Sequence, residues 1–286
     1  MEIPGFVDLQ VNGFRGVNFS SPELTEEDFI QTCIELMGRG TAAFLPTVIT
    51  SPLEVYRRNL PLMAEIMDRP ELKDRMSGFH IEGPFISPEP GARGVHDPDL
   101  ILKPDISLFE ELQELACGKI KLLTIAAEVN GAVELAGHAV KHGVTVSLGH
   151  HLASEEDLQR LITAGASTLT HLGNGVPRMV DRHRNPLWAG LAEDALTAMI
   201  IPDGHHLPAS LMKTIIRVKG MSNVIAVSDV SPVAGLPPGR YTCMGGEVVL
   251  EESGLLHDSV KGYLAGSSAT MLDCMNVLAS LKLLKY

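Results

Sequence analysis

The sequence predicts a (β/α)8 barrel, and three observations carry that expectation. The chain has 286 residues, a length that α/β barrels reach as one domain. Eight short, β-branched, nearly continuous apolar runs recur along it, as strands covered on both faces of a parallel sheet require. Amphipathic stretches separate most of them, which is the alternation of a strand–helix repeat. A doubly wound open sheet is the competing arrangement, but no glycine-rich phosphate fingerprint follows the first strand.

The first strand is Phe6–Asn12 (FVDLQVN), entered through the turn at Pro4-Gly5. Thr25–Arg39 follows as a helix, with Thr25 as N-cap and Asp28 three residues on. Ala42–Ile49 (AAFLPTVI), Gly78–Phe85 (GFHIEGPF) and Leu122–Val129 (LLTIAAEV) are the next strands. Gly131–His142 is a helix interrupted by Gly137, and Thr145–His151 (TVSLGHH) is the fifth strand. Ser154–Ala164 repeats the capping device with Ser154 and Asp157, and places Leu158, Leu161 and Ile162 on one face. Ser167–Asn174 (STLTHLGN), Thr197–Gly204 (TAMIIPDG) and Val224–Ser231 (VIAVSDVS) complete the eight strands. Residues 239–266 read as turns and strands, so a β-rich insertion is expected at about 236–266. Ser267–Leu284 is the closing helix. No repeat or linker breaks the pattern, and residues 1–286 are expected to form a single catalytic barrel domain.

Composition narrows the function classes. The net charge of −12 argues against a general nucleic-acid or anionic-membrane surface. An anionic substrate would then need a local basic patch. Cys33, Cys117, Cys243 and Cys274 are widely spaced, with no C-x-x-C, and read as reduced thiols. Hydrophobic residues make up 45% of the chain and mean hydropathy is +0.14, which fits a globular protein rich in buried strand. No leader pattern and no apolar run of about 20 residues is visible. A cytoplasmic enzyme is the expectation.

In such barrels, chemistry sits at the C-terminal ends of the strands. Those ends carry Asp8, Gln10 and Asn12 on strand one and Glu82 on strand three. His150 and His151 stand on strand five, His171 and Asn174 on strand six, Asp203, His205 and His206 on strand seven, and Asp229 on strand eight. Packing alone does not explain polar residues at six of eight strand ends. One carboxylate and two imidazoles, from the ends of strands three, five and six, leave an open position on a tetrahedral divalent cation, as catalytic sites do. Asp229 is then free to act as acid and base. The chemistry expected is metal-assisted hydrolysis of an amide.

The stretches PGFVDLQVNG (4–13), FLPTVITS (44–51), GFHIEGPFISPEPGARGVHDP (78–98), VSLGHH (146–151), THLGNGVP (170–177), IIPDGHH (200–206), VSDVSPVAG (227–235) and LAGSS (264–268) run in order over nearly the whole chain. Together they resemble the catalytic barrel of the N-acetylglucosamine-6-phosphate deacetylase family, within the amidohydrolase superfamily. The resemblance implies deacetylation of an N-acetyl amino-sugar 6-phosphate in a homodimer. It implies one divalent metal, Zn²⁺ before Fe²⁺, Co²⁺, Ni²⁺ or Mn²⁺, on Glu82, His150 and His171. It implies Asp229 as the acid/base, His206 on the acetyl carbonyl, His96 as a substrate contact, and Asn174 and the Gly175 backbone on the phosphate or sugar. Arg184 matches an Arg that reaches the phosphate, in the family from the neighbouring subunit.

Some positions depart from the pattern. The Arg178–Pro186 loop is longer than the usual version, and Arg182 is the alternative to Arg184. Together with Arg178, these arginines form the basic patch that the charge argument required. Gly173 and Gly175 replace larger residues, which predicts a wider sugar pocket. His151 and His205 are extra histidines expected to stand behind the site or face solvent. Family members carry a small β-sandwich made from sequence outside these limits, so a barrel-only variant or a truncated product is expected. Many amidohydrolases place His-x-His on strand one; Gln10-Val11-Asn12 stands here, and amides are poor ligands for such metals. A single metal is therefore expected, with Gln10 and Asn12 hydrogen-bonding its neighbours. Another amide substrate, or a non-catalytic sugar-phosphate-binding barrel, remains an alternative.

Overall fold

The computed structural model describes residues 5–283, so Pro4 and Leu284, where two predicted segments end, lie outside the described residues. Strand β1 (Phe6–Val11) runs into a tight hairpin, β2 (Gly13–Phe14) and β3 (Val17–Asn18). Helix α1 (Glu26–Gly38) starts where the Thr25 side chain accepts from the Asp28 amide at 3.1 Å. Next come β4 (Thr41–Ile49), α2 (Leu53–Met67), β5 (Phe79–Glu82), α3 (Ile106–Leu115), β6 (Ile120–Ile125) and α4 (Ala132–Lys141). Strand β7 (Thr145–Leu148) leads to α5 (Glu155–Thr163), whose reciprocal Ser154–Asp157 cap is the one the sequence predicts. Strand β8 (Thr168–Leu169), α6 (Pro186–Ala192), β9 (Thr197–Ile200), α7 (Ala209–Lys219) and β10 (Val224–Ala226) complete the repeat.

The eight strands β1-β4-β5-β6-β7-β8-β9-β10 pair in parallel, in that order. Among the described residues no ladder joins β10 back to β1. One parallel bridge, Val11 to Val230, closes the ring at its C-terminal end. Side chains complete this seam: Asp8 accepts the Ser228 amide at 3.0 Å and the Ser228 hydroxyl at 2.5 Å.

The barrel is layered inside. Leu45, Leu122, Met199, Ile201 and Val227 form an apolar plug, with Leu9 and Ile225 against it. Strand period 2 places the next inward residues two positions further on. There, His80 bonds Thr124 at 2.7 Å, Thr124 bonds Thr170 at 2.8 Å, and Thr170 donates to Ser147 at 2.6 Å. A buried polar layer is tolerable because its members satisfy one another. The site is built on it. Outside the strands, the larger aliphatic and phenylalanine core packs strands against helices.

After β10, strands β11 (Gly239–Cys243), β12 (Gly246–Leu250) and β13 (Leu256–Asp258) form the antiparallel insertion expected from sequence. Val248, Leu250 and Leu256 bury against Val233 and Ala265, which docks it on the barrel mouth. Helix α8 (Met271–Ser280) closes the chain behind a Thr270–Asp273 capping box. All four cysteines are free thiols. No described helix is long and apolar enough to cross a membrane.

Seven of the eight strands end earlier than the apolar pattern suggests, only the second reaching its expected end at Ile49, and three of the early ends precede site residues. The expected runs to His151, Asn174 and Ser231 stop at Leu148, Leu169 and Ala226. The reason is backbone conformation: His150 (φ 50°), His171 (φ 32°) and Asp229 (φ 50°) are left-handed, which an extended ladder cannot include.

Candidate metal centre and active-site cavity

Glu82 is the last residue of β5, and His150, His171 and Asp229 lie just beyond β7, β8 and β10. The left-handed turns after the three shorter strands fold these side chains back over the barrel axis. Non-glycine residues adopt this conformation at a cost of about 1 kcal/mol or more. The surrounding barrel must supply that energy.

Glu82, His150 and His171 each offer one ligand atom, all within 4.8 Å of one another, and all three are buried. Glu82 Oε1 lies 3.0 Å from His171 Nε2 and 3.4 Å from His150 Nε2, and the two Nε2 atoms are 3.0 Å apart. A tetrahedral cation with bonds of about 2.0–2.1 Å separates its ligands by about 3.3 Å. The triangle therefore has the size of one face of such a coordination shell, and the residues fit one divalent ion. His150 Nδ1 is fixed on the Ala92 carbonyl at 2.8 Å, which leaves Nε2 as the ligating nitrogen.

Electrostatics favour a cation there. Burial raises the Glu82 pKa, but the hydrogen bonds and charges of His150 and His171 outweigh it and hold Glu82 well below its usual range. Strand one provides support. Gln10 Nε2 donates to Glu82 Oε1 at 2.7 Å, and Asn12 Nδ2 donates to Asp229 Oδ1 at 2.7 Å. Both amides hydrogen-bond the neighbouring carboxylates, as the sequence suggested. Asp229 is pushed up to about 6, first by burial and then by the negative charge of Glu82.

These residues form the floor of a cavity of about 570 Å3, also lined by His206, Asn174, Gly175, Arg178 and residues of the insertion. His206 Nδ1 is held by Asp203 Oδ2 at 2.8 Å, so Nε2 is its free nitrogen. Asp203 stands among the polar strand ends named from sequence but carries no role there, although its spacing in DGHH allows the i,i+3 bond. Asn174 donates to the His171 carbonyl at 3.1 Å.

Two expected substrate contacts lie outside this cavity, which for Arg184 is what a contact to a neighbouring subunit implies. His96 is buried edge-on against His150, ring centroids 4.6 Å apart, with Nδ1 on the Thr50 hydroxyl at 2.8 Å. It backs a metal-ligand ring and does not line the cavity. Arg184 is exposed in its loop and does not line its own chain's cavity. Arg182 is exposed too, its carbonyl taking the Trp188 indole N–H at 3.0 Å.

Gly173 and Gly175 both line the cavity, and an added Cβ would meet different neighbours at each. A Cβ at Gly175 would come within 3.0 Å of His150 Nδ1, so this position makes room for a metal-ligand ring. At Gly173 a Cβ would meet Leu207, Leu211 and Leu187, so the volume left free faces apolar packing more than sugar. His151 is buried and takes the Ala153 amide at 3.1 Å, while exposed His205 bonds the Ser253 carbonyl of the insertion at 3.1 Å.

No family model matches the chain. An N-acetylglucosamine-6-phosphate deacetylase of Haemophilus influenzae is 33% identical over 275 residues, 94% of this chain and 68% of that protein. The chain belongs to this deacetylase family. An N-acetylgalactosamine-6-phosphate deacetylase of Escherichia coli O157:H7 is 28% identical, over 94% of this chain and 69% of that protein. A solved mutant N-acetyl-D-glucosamine-6-phosphate deacetylase from Mycobacterium smegmatis, in complex with N-acetyl-D-glucosamine-6-phosphate, matches with a TM-score of 0.90. It is 25% identical, and the match covers 99% of this chain and 72% of that one. The deacetylase barrel is thus shared from β1 to α8, insertion included.

Proposed function

We propose that the chain hydrolyses the acetamide of N-acetylglucosamine 6-phosphate to the free amino-sugar phosphate and acetate, using one divalent metal, Zn²⁺ first among candidates. The observation that carries this is the convergence of Glu82, His150 and His171 beside a buried carboxylate whose pKa lies near 6. A sugar-binding barrel needs no such general base.

The residues divide the work. Glu82, His150 and His171 hold the cation, which when bound supplies Lewis acidity and acidifies water. Asn12 fixes the Asp229 carboxylate with one oxygen engaged and the other free. Asp229 takes a proton from the attacking water and returns it to the nitrogen as the C–N bond breaks, so that the amine leaves neutral. His206, its tautomer set by Asp203, donates from Nε2 to the acetyl oxygen as charge develops there. Asn174 and the Gly175 backbone at the cavity wall suit the sugar phosphate. His96 keeps the His150 ring in place from behind.

Metal-loaded protein should release acetate from N-acetylglucosamine 6-phosphate. No release, together with no effect of Asp229→Asn, would remove the reading. The N-acetylgalactosamine epimer belongs in the same assay.

A homodimer in the cytoplasm completes the proposal. Arg184 is exposed on its loop and does not line its own cavity, which suits it to a second copy's substrate. A mixture of Asp229→Asn and Arg184→Ala chains, refolded together, should recover activity that neither has alone. Absence of recovery would place Arg184 outside the reaction.

A further inference from the structure

The cavity floor carries two carboxylates, Glu82 and Asp229, in a protein of net charge −12. A divalent cation on Glu82 would offset the charge of the floor, but the overall negative field of the chain still disfavours a phosphate dianion unless a cation stands at the entrance. Among the described residues that line the cavity, one is a lysine or arginine: Arg178. It is exposed, whereas the floor is buried, so it belongs to the rim. Arg178 sits on the loop after β8, yet it is tied across the cavity mouth to the segment after β13. Its Nη2 donates to the Gly262 carbonyl at 2.5 Å, and its guanidinium lies 5.7 Å from the Tyr263 ring centroid. Both contacts are with neutral groups, so its charge is not cancelled. One donor is used of the five a guanidinium carries. The side chain is thereby ordered before any ligand arrives, with donors to spare in the planar fork that suits phosphate.

We infer that Arg178 binds the 6-phosphate of the substrate from within the same chain and sets the preference for phosphorylated over unphosphorylated N-acetyl amino sugars. This rests on the deacetylase reading above. It adds a specificity residue in cis to the contact proposed for Arg184 in trans. The arginine also couples two segments: the phosphate would be held where the β8 loop and the insertion already meet.

The test compares kcat/KM for N-acetylglucosamine 6-phosphate with that for N-acetylglucosamine in the full chain and in Arg178→Ala, Arg178→Lys and Arg184→Ala. The expected result is a fall of about 10–100-fold in the phosphorylated-to-unphosphorylated ratio for Arg178→Ala, carried mainly by KM. Arg178→Lys should recover part of it, because charge returns without the fork. Inorganic phosphate should inhibit the parent competitively and Arg178→Ala more weakly. A ratio unmoved by Arg178→Ala, including an equal loss on both substrates, would overturn the inference. So would a ratio that responds to Arg184→Ala alone. If the parent releases acetate from neither sugar, the deacetylase reading fails separately. Calorimetry with inorganic phosphate then still decides Arg178, by loss or retention of binding in Arg178→Ala.

Discussion

His150, His171 and Asp229 are placed by left-handed backbone, each two or three residues past the end of its strand. Their identities were readable because the chemistry demands particular residue types at strand ends. Their conformation was not, since apolar periodicity continues through His-Leu and Ser-Asp without registering φ. His96 illustrates a second limit. Motif position places it in the right loop, but whether a loop side chain enters a cavity or packs behind a ring depends on tertiary contacts. Asp229 supports a prediction here. Asp229→Asn should lower kcat about 10²–10⁴-fold with metal content retained. Activity needs the carboxylate, whose pKa near 6 is set partly by Glu82. A cation on Glu82 offsets that charge, so the acid limb of kcat/KM should fall at or below pH 6 in metal-loaded protein. A limb above pH 7 would contradict the assignment.

At the level of elements, strand one has the role that its alternating polar residues announced. Gln10 holds Glu82, Asn12 holds Asp229, and Asp8 fastens the strand to Ser228. Burial pushes Asp8 up to about 6 from 3.8, with the Ser228 and Gln10 hydrogen bonds opposing. The folded chain therefore binds more protons than the unfolded one between about pH 4 and 6. The contribution of Asp8 to stability is greatest at the acid end and shrinks as pH rises through that window. Denaturant titrations of the parent and Asp8→Asn should show the parent's relative stability declining from pH 4 to 6 and then levelling. A growing difference would mean that the carboxylate is held ionised. The helices α1 and α5 and the insertion were legible from capping pairs and turn residues. The two-residue β8 was not, because glycines and His171 bend the chain where composition still reads as strand.

For the whole molecule, the eightfold alternation was enough to specify the barrel, because aliphatic strands buried on both faces have few other ways to pack. Metal should act as a ligand of the folded state. At a free concentration 100 times its Kd it adds about 2.7 kcal/mol. Thermal melts should therefore rise by several degrees with Zn²⁺ and fall with a chelator. Glu82→Gln should abolish the response. An identical melt with and without metal would show that the cluster holds none.

The ring joined at Val11–Val230 has a further consequence. It behaves as a clasp whose main chain is fastened at one end, with the Asp8–Ser228 side-chain bonds below, and thermal breathing should be greatest at the end without a ladder, away from the cavity. Amides of Phe6–Leu9 and Val224–Ala226 should exchange with deuterium sooner than those of Ile120–Ile125. The catalytic rim should stay rigid while the floor of the barrel opens and shuts beneath it.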